Sequence, residues 1–150
     1  MIKDFENVVS IVSNSDLIIV STDTPDSRMV INMIGVEHNI PMIFISLHER
    51  AQTGKVERFI PGKTQCRACI PGRNEEFMPG STDYSEKTEI RDIMFQPGLD
   101  TDISIVTLLG VKSALNLLTD NKPDIHNIFE SGTIFWNGYN KDGESPIFSV

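Results

Sequence analysis

The residues of this chain best suited to chemistry are a pair of cysteines and an aspartate that follows a predicted strand. Cys66 and Cys69 are the only cysteines, and their Cys-x-x-Cys spacing lets two thiolates converge on one metal ion. Tetrahedral zinc needs four ligands, and the sequence holds no second such pair. Its three histidines are scattered, without ligand spacing to the pair. The pair therefore predicts half of a zinc site, either empty or shared by two chains.

The aspartate is Asp23, which follows a nearly continuous apolar run over residues 16–21. Such a run is typical of a strand covered on both faces in a parallel sheet. Because ligands bind beyond the carboxyl ends of parallel strands, a carboxylate at this point is well placed to orient Mg²⁺. The alternative is that Asp23 serves only as a turn or capping residue, a common use of aspartate after a strand.

The elements around Asp23 predict a βαβ unit with short connections, preceded by a short helix over residues 5–12. Thr24 is placed as the N-cap of the central helix, with Pro25 at its first position. Asn39 ends that helix, and residues 41–46 form a second buried strand. The helix is expected to bury four apolar residues, namely Val30, Ile31, Met33 and Ile34.

The pattern changes after the second strand. Residues 54–60 alternate in polarity, which predicts an exposed antiparallel strand. Residues 61–100 form a polar, irregular excursion around the cysteine pair, and loops this long are usually functional or stapled by a metal. A late strand is expected over residues 133–136, and residues 146–150 are a candidate for another.

The longest predicted helix covers residues 101–118, with Asp100 or Thr101 as its cap. Gly110 within it indicates close packing against a neighbouring element. Its apolar face is interpreted as core rather than as a cofactor site, and comprises Ile103, Val106, Leu109, Gly110, Ala114 and Leu117. The fold class expected is α/β, an incomplete Rossmann-like sheet in which a βαβ unit is joined to antiparallel strands and a long helix.

Composition describes a single-domain globular chain with an acidic surface. Hydrophobic residues make up 39% and charged residues 23% of its 150 residues. Thirteen basic and 21 acidic residues give a net charge of −8 and a pI near 4.8. Because this charge repels phosphate backbones and anionic lipid, we expect neither nucleic acid nor a membrane as partner. The N-terminus lacks the pattern of a signal peptide, and a reducing, cytoplasmic location is expected.

The order strand, Thr-Asp, helix, strand, Pro-Gly-Lys-Thr-x-Cys-x-x-Cys, long helix resembles the ThiF/MoeB/HesA family, the bacterial relatives of ubiquitin-activating enzymes. The combination is far more specific than any one piece, and it spans nearly the whole chain. The stretches that carry the resemblance are residues 16–28, 39–43, 48–58, the Cys66 and Cys69 segment, 102–110 and 135–137.

The resemblance implies an activity and a set of site residues. Family members bind ATP and Mg²⁺ and adenylylate the C-terminal carboxylate of a ubiquitin-like or sulfur-carrier protein. Asp23 is then the catalytic carboxylate that orients Mg²⁺, with Thr22 and Arg28 beside the nucleotide, although Arg28 could equally decorate the first helical turn. Cys66 and Cys69 are then zinc ligands. A homodimer, or a heterodimer with an adenylyltransferase, is the expected assembly.

Two departures from the family pattern affect the functional expectation. No glycine-rich G-x-G turn, which cradles the nucleotide phosphates in the family, precedes the first strand. Near the C-terminus, Phe148 stands where a zinc-binding cysteine is expected. We therefore expect residues 1–150 to be one partial adenylyltransferase domain, its C-terminal half, inactive alone. The alternatives are a non-catalytic binding or dimerisation subunit of a complete adenylyltransferase, and an unrelated half-Rossmann binding domain.

Overall fold

The computed structural model describes residues 5–48, 51, 53–70, 98–119 and 132–138. The strand expected over residues 146–150 and most of the excursion after residue 70 lie outside the described residues. The helices are α1 (Phe5–Ser13), α2 (Pro25–Glu37) and α3 (Asp100–Leu118), and the strands are β1 (Ile18–Val20), β2 (Met42–Leu47), β3 (Thr53–Phe59) and β4 (Thr133–Asn137), with a 3₁₀ turn at Arg67–Cys69.

The described strands form one sheet in the order β1-β2-β3-β4. β1 and β2 are parallel and joined through α2, which confirms the predicted βαβ unit. β3 pairs antiparallel with β2, and β4 antiparallel with β3. Helix α2 lies on one face of the sheet and α3 on the other, where α3 contacts β2 and β3. The fold is therefore mixed α/β, consistent with an incomplete Rossmann-like sheet.

Helix α2 begins and ends where its local chemistry predicts. Thr24 is the N-cap, and its hydroxyl oxygen accepts a hydrogen bond from the Ser27 backbone N–H at 3.3 Å. Pro25 occupies the first turn, where its missing N–H costs nothing. Beyond the last turn Asn39 adopts a left-handed φ of 56°, which asparagine tolerates better than most residues. These caps set the orientation of α2 between β1 and β2.

The burial expected along α2 is correct except at Met33. Ile34 is buried, and Val30 and Ile31 are half-buried against the neighbouring core. Met33 is 64% exposed, so its predicted burial is wrong. Successive helical residues are about 100° apart, and the face centred on Ile31 and Ile34 therefore turns Met33 to solvent.

Strand β3 is antiparallel, as predicted, but its predicted exposure is wrong. Residues 54–59 are all buried, because both faces of the strand are covered. On one face Val56 packs beneath α3 with Val106. On the other, Glu57 forms an ion pair with Arg67 of the 3₁₀ turn. The polar alternation of β3 thus marks buried polar contacts rather than a solvent-exposed face.

Strand β1 is covered less completely than the apolar run predicted. Val20 is 1% exposed within the cluster on the α2 face, but Ile19, which faces the other way, is 49% exposed. Helix α3 contacts mainly β2 and β3, and Ile19 is left partly uncovered. Among the described strands, β1 has no neighbour on its outer edge.

Helix α3 covers one face of the sheet and forms one side of the core. Val106 and Ala114 pack with Ile43, Val56 and Trp136 from the sheet. The cap residue is Leu99, without a side-chain hydrogen bond, so capping by Asp100 or Thr101 is not observed. Carboxylates in the first helical turn instead complement the helix dipole.

The outer side of α3 remains apolar and exposed, at Leu108, Val111, Leu115 and Leu118. By length and composition α3 could cross a membrane. Core helices pass the same test, and the opposite side of α3 is packed on the sheet.

Candidate functional site

A cleft of about 550 Å³ opens where β1 and β2 reach their carboxyl ends. Asp23 and Arg28 line it on one side, and Ile103 and Thr107 of α3 line it on the other. The cleft brings together two of the residues expected at the nucleotide site, Asp23 and Arg28. The contribution of α3 comes from a distant part of the chain and was not anticipated from the sequence.

Arg28 ties the ends of the two parallel strands together. Its Nε donates to the Thr22 carbonyl oxygen at 2.5 Å, and its Nη2 donates to the Ile45 carbonyl oxygen at 3.0 Å. Its Nη1 donates to Ser46 Oγ. The planar guanidinium fork suits this role, because it holds several acceptors in fixed directions. Arg28 therefore does more than decorate the first turn of α2.

The two residues between β1 and α2 differ in environment. Asp23 is exposed at the mouth of the cleft. Thr22 is half-buried, and its Oγ1 is buried without a hydrogen-bond partner among the described residues. Because Arg28 fixes the Thr22 carbonyl, the backbone leading to Asp23 is held in place at the strand end. The Asp23 carboxylate is therefore exposed at the cleft, on a turn that Arg28 holds in place.

An exposed carboxylate in such a cleft fits Mg²⁺ bound together with a phosphate ligand. Mg²⁺ keeps several waters and commonly takes one or two protein carboxylates plus substrate phosphates, rather than a full protein cage. Within the described residues no cluster of three or more His, Cys, Asp or Glu could hold a metal alone. Asp23 is thus the described residue that would hold Mg²⁺ if a nucleotide brought the phosphates.

The cysteine pair lies away from this cleft, in a turn on the α2 face of the sheet. Cys66 is half-buried against a cluster that includes Phe44 and Phe59, whereas Cys69 is exposed. Their Sγ atoms are 3.2 Å apart, and both cysteines are free thiols. The Cys69 N–H donates to the Cys66 carbonyl oxygen at 2.9 Å, which closes the turn.

Two buried polar residues anchor this turn to the rest of the fold. Asn32 of α2 is 2% exposed, and its Oδ1 accepts from the Arg67 backbone N–H at 3.0 Å. Arg67 is itself buried, with Nη1 2.5 Å from Glu57 Oε2 and its guanidinium carbon 5.4 Å from the centre of the Phe44 ring. Cys66 is therefore held on a rigid base.

The hydrogen bonds of the turn shift the pKa values of the two thiols in opposite directions. Burial raises the pKa of Cys66, but bonds from the Cys69 thiol, from nearby backbone N–H groups and from the Asn32 side chain outweigh it, and the net pKa is lowered. The pKa of Cys69 is raised, first because its thiol donates to Cys66 and then because the charge on Cys66 opposes a second charge. The turn therefore favours ionisation of Cys66 over that of Cys69.

The arrangement does not complete a zinc site by itself. Two thiolates that share tetrahedral zinc, with Zn–S of about 2.3 Å, lie about 3.8 Å apart, a separation that this pair reaches by a small rotation of the exposed Cys69 side chain. The described residues offer only these two donors, and the described part of the chain contains no larger cluster. The described turn is a dithiol rather than a closed metal site.

A buried polar cluster lies beneath α3 and was not predicted from the sequence. Arg58, on a strand predicted to be exposed, is 8% exposed, and its Nη1 donates to Asn116 Oδ1 at 3.2 Å. Burial lowers the pKa of Arg58. Ser113 of α3 is also fully buried. The available signal was the i, i+3 spacing of Ser113 and Asn116 on the helix face assigned to the core.

The described fold has a βαβ unit, a cleft with Asp23 and Arg28 at its carboxyl edge, and antiparallel strands after it, which is consistent with an α/β protein with an incomplete Rossmann-like sheet. Comparison with known families is more specific. The model of the ThiF family matches residues 1–140, so the chain belongs to the ThiF family. This confirms the resemblance seen in the sequence.

Similar proteins include several called ubiquitin-like modifier-activating enzyme 5. The Caenorhabditis elegans protein is 29% identical over 103 residues, covering 69% of this chain and 23% of the relative. The Drosophila willistoni protein is 27% identical over 125 residues, covering 78% and 30%. The Mus musculus protein is 26% identical over 148 residues, covering 93% and 33%. The chain thus spans about a quarter to a third of the length of these curated relatives.

Proposed function

We propose that this chain contributes the Mg²⁺-orienting carboxylate of a ThiF-type adenylyltransferase. The whole enzyme uses ATP to activate the C-terminal carboxylate of a ubiquitin-like modifier or a sulfur-carrier protein. The observation that carries the proposal is the cleft at the carboxyl ends of β1 and β2, with Asp23 exposed at its mouth. Membership of the ThiF family and the names of the relatives support the substrate class.

The chemistry explains why this cleft needs a carboxylate. Adenylylation brings a carboxylate and the α-phosphate of ATP together, and Mg²⁺ offsets the repulsion between these anions when it is bound. Asp23 would hold that ion, while Arg28 and Thr22 keep the strand-end turn in position beside the nucleotide. The exposed, anchored location of Asp23 favours this role over that of a turn residue. Cys66 and Cys69 lie away from this cleft and would supply two of the four ligands of a structural zinc ion.

Pyrophosphate–ATP exchange tests the proposal in two stages. The 150 residues alone are expected to give no exchange, because this sequence holds no glycine-rich loop to cradle the phosphates. The complex that the chain forms with its nucleotide-binding partner is expected to exchange, and Asp23→Asn should lower its rate at least about 10²-fold. Exchange by the chain alone would contradict the assignment of a partial site.

Asp26→Asn is the matched control, since Asp26 is also an exposed aspartate, three residues away in the first turn of α2. It is expected to change the exchange rate by less than about twofold, as a surface substitution does. Equal losses from Asp23→Asn and Asp26→Asn would remove the catalytic role of Asp23. A cytoplasmic location belongs to the same proposal and can be checked by fractionation.

A second candidate is a non-catalytic subunit that pairs with a complete adenylyltransferase. The outer edge of β1 favours it, because β1 has no further neighbour among the described strands and Ile19 is 49% exposed. Size-exclusion chromatography and co-purification would detect the heterodimer, or a homodimer of this chain. In this case Asp23→Asn leaves the exchange activity of the complex unchanged, which separates the two functions.

A further inference from the structure

We propose that the open edge of β1 and the flank of α3 beside it bind a strand–turn–helix unit of a second polypeptide, the one that carries the phosphate-binding turn. The proposal rests on the proposed function, since it locates the nucleotide-binding partner on this chain. Two exposed surfaces meet at the mouth of the Asp23 cleft. One is the backbone edge of β1, and the other is the apolar face next to that edge.

The edge of β1 can accept one more strand. The Ile18 N–H donates to the Pro41 carbonyl oxygen at 3.0 Å, so the backbone groups of Ile18 bond toward β2. Because these groups alternate in direction along a strand, the N–H and carbonyl of Ile19 point away from β2. Among the described strands β1 has no neighbour on that side. An edge of this kind binds an added strand through main-chain hydrogen bonds.

The face beside α3 is wide enough for one more helix. A helix is about 10 Å wide and neighbouring strands lie about 4.8 Å apart, so one helix covers about two strands. Helix α3 contacts mainly β2 and β3. The next helix position along the sheet therefore spans β1 and one strand beyond it. Ile19 lies in that position and is 49% exposed, so a helix placed there would bury it.

The flank of α3 that borders this position is also apolar. Ile103 and Thr107 line the cleft beside the end of β1, which identifies the side of α3 that faces β1. The Thr107 hydroxyl donates to the Ile103 carbonyl oxygen at 2.8 Å and is thereby satisfied within the helix. Val111, one turn further along, continues the same stripe and is 43% exposed. A helix packed between this stripe and Ile19 would bury apolar surface on both of its sides.

The position of the cleft identifies the chemistry of the partner. Ligands of open α/β sheets bind at the carboxyl ends of two neighbouring parallel strands that lead to helices on opposite faces. Strand β1 leads into α2 on one face, so a parallel strand at its outer edge would lead to a helix on the α3 face. That strand would end beside Asp23, and a glycine-rich turn into its helix would present backbone N–H groups to phosphates there. This sequence holds no G-x-G turn of its own.

Binding measurements with variants of the full chain test this surface. The probe is the polypeptide that co-purifies with the tagged chain from its own cells and carries a glycine-rich turn in its sequence. Ile19→Pro removes the outward N–H, a change that edge strands tolerate, and Val111→Asp places a charge on the flank of α3. Each is expected to weaken binding at least about tenfold. Ile19→Ser should weaken it less than Ile19→Pro. Phe135→Ser is the matched control, because Phe135 of β4 is 48% exposed, and it should change the affinity by less than about twofold.

Hydrogen exchange locates the contact, since the complex should protect the Ile19 amide and leave the Phe135 amide unchanged. Three outcomes would overturn the proposal: no co-purifying polypeptide with a glycine-rich turn, no protection at Ile19, or unchanged affinity for Val111→Asp and Ile19→Pro. Far-UV circular dichroism of each variant confirms that the fold is retained.

The result is separable from that of the adenylyltransferase test. If Ile19→Pro abolishes binding while Asp23→Asn leaves the exchange activity of the complex unchanged, the docking surface stands and the catalytic role of Asp23 fails. If Asp23→Asn abolishes exchange while Ile19→Pro binds as wild type does, the function stands and the docking surface fails.

Discussion

The buried ion pair between Arg67 and Glu57 gives a sharp test of what holds the cysteine turn to the sheet. Arg67→Met should destabilise the chain strongly, because it leaves the Glu57 carboxylate buried, 3% exposed, without the guanidinium 2.5 Å away. Breaking a buried pair on one side costs about 3–5 kcal/mol. The contact of Arg67 with the Phe44 ring adds about 0.5–2 kcal/mol. Against a typical stability of about 5–15 kcal/mol, this is a large fraction.

The double substitution separates the pair from the rest of the side chain. With Glu57→Leu added, the carboxylate is removed together with the guanidinium, and most of the loss should be recovered, since an apolar replacement of a buried pair is often neutral or stabilising. Urea unfolding followed by far-UV circular dichroism gives the free energies, provided that the m-value is unchanged. Lys63→Met, an exposed lysine of the same loop, is the control and should stay within about 0.5 kcal/mol.

A stabilising role for the Arg67 and Glu57 pair is refuted if Arg67→Met costs less than about 1 kcal/mol, which would mean that Glu57 is readily solvated or satisfied elsewhere. It is also refuted if the double variant is as unstable as Arg67→Met alone. In that case the loss would come from packing of the long arginine stem rather than from the Glu57 carboxylate that has lost the guanidinium.

Two further substitutions test local features by the same unfolding measurement. Thr24→Ala should cost about 1 kcal/mol through loss of the N-cap of α2, whereas Thr24→Ser should restore most of it; equal losses would refute the cap. Gly54→Ala should cost about 1–3 kcal/mol, because the added Cβ would lie 2.7 Å from Val106 Cγ2 and 3.0 Å from the Ser46 carbonyl oxygen. Val106→Ala in the same chain should relieve part of that crowding, so strictly additive losses would count against it.

The parts of the fold that the sequence predicts well are those governed by neighbouring residues. The caps of α2 and the two parallel strands follow from local types such as Thr24, Pro25 and Asn39, whose preferences act within a few residues. Gly110 was correctly assigned to a close approach, since a Cβ there would meet the Ile45 side chain.

The errors come from partners that are distant in sequence. β3 was predicted to be exposed because its residues alternate in polarity, yet Glu57 and Arg58 are buried and bonded to Arg67 and Asn116, which no local pattern connects to them. The candidate site shows the same difference between local features and those that depend on distant residues. Asp23 was placed at a strand end from the sequence, but the bond of Arg28 to β2 and the wall supplied by α3 depend on long-range packing.

The two close approaches between α3 and the sheet have a mechanical consequence. Gly54 of β3 lies against the Val106 side chain of α3, and Gly110 of α3 lies against the Ile45 side chain of β2. Because neither glycine has a side chain, the helix can approach the strands closely. The same helix forms one wall of the cleft, while the Ile45 carbonyl holds the Arg28 fork on the other side. The height of α3 above the strands therefore also sets the width of the cleft. A side chain added at Gly54 or Gly110 is expected to raise the helix and widen the cleft, although neither residue lines it.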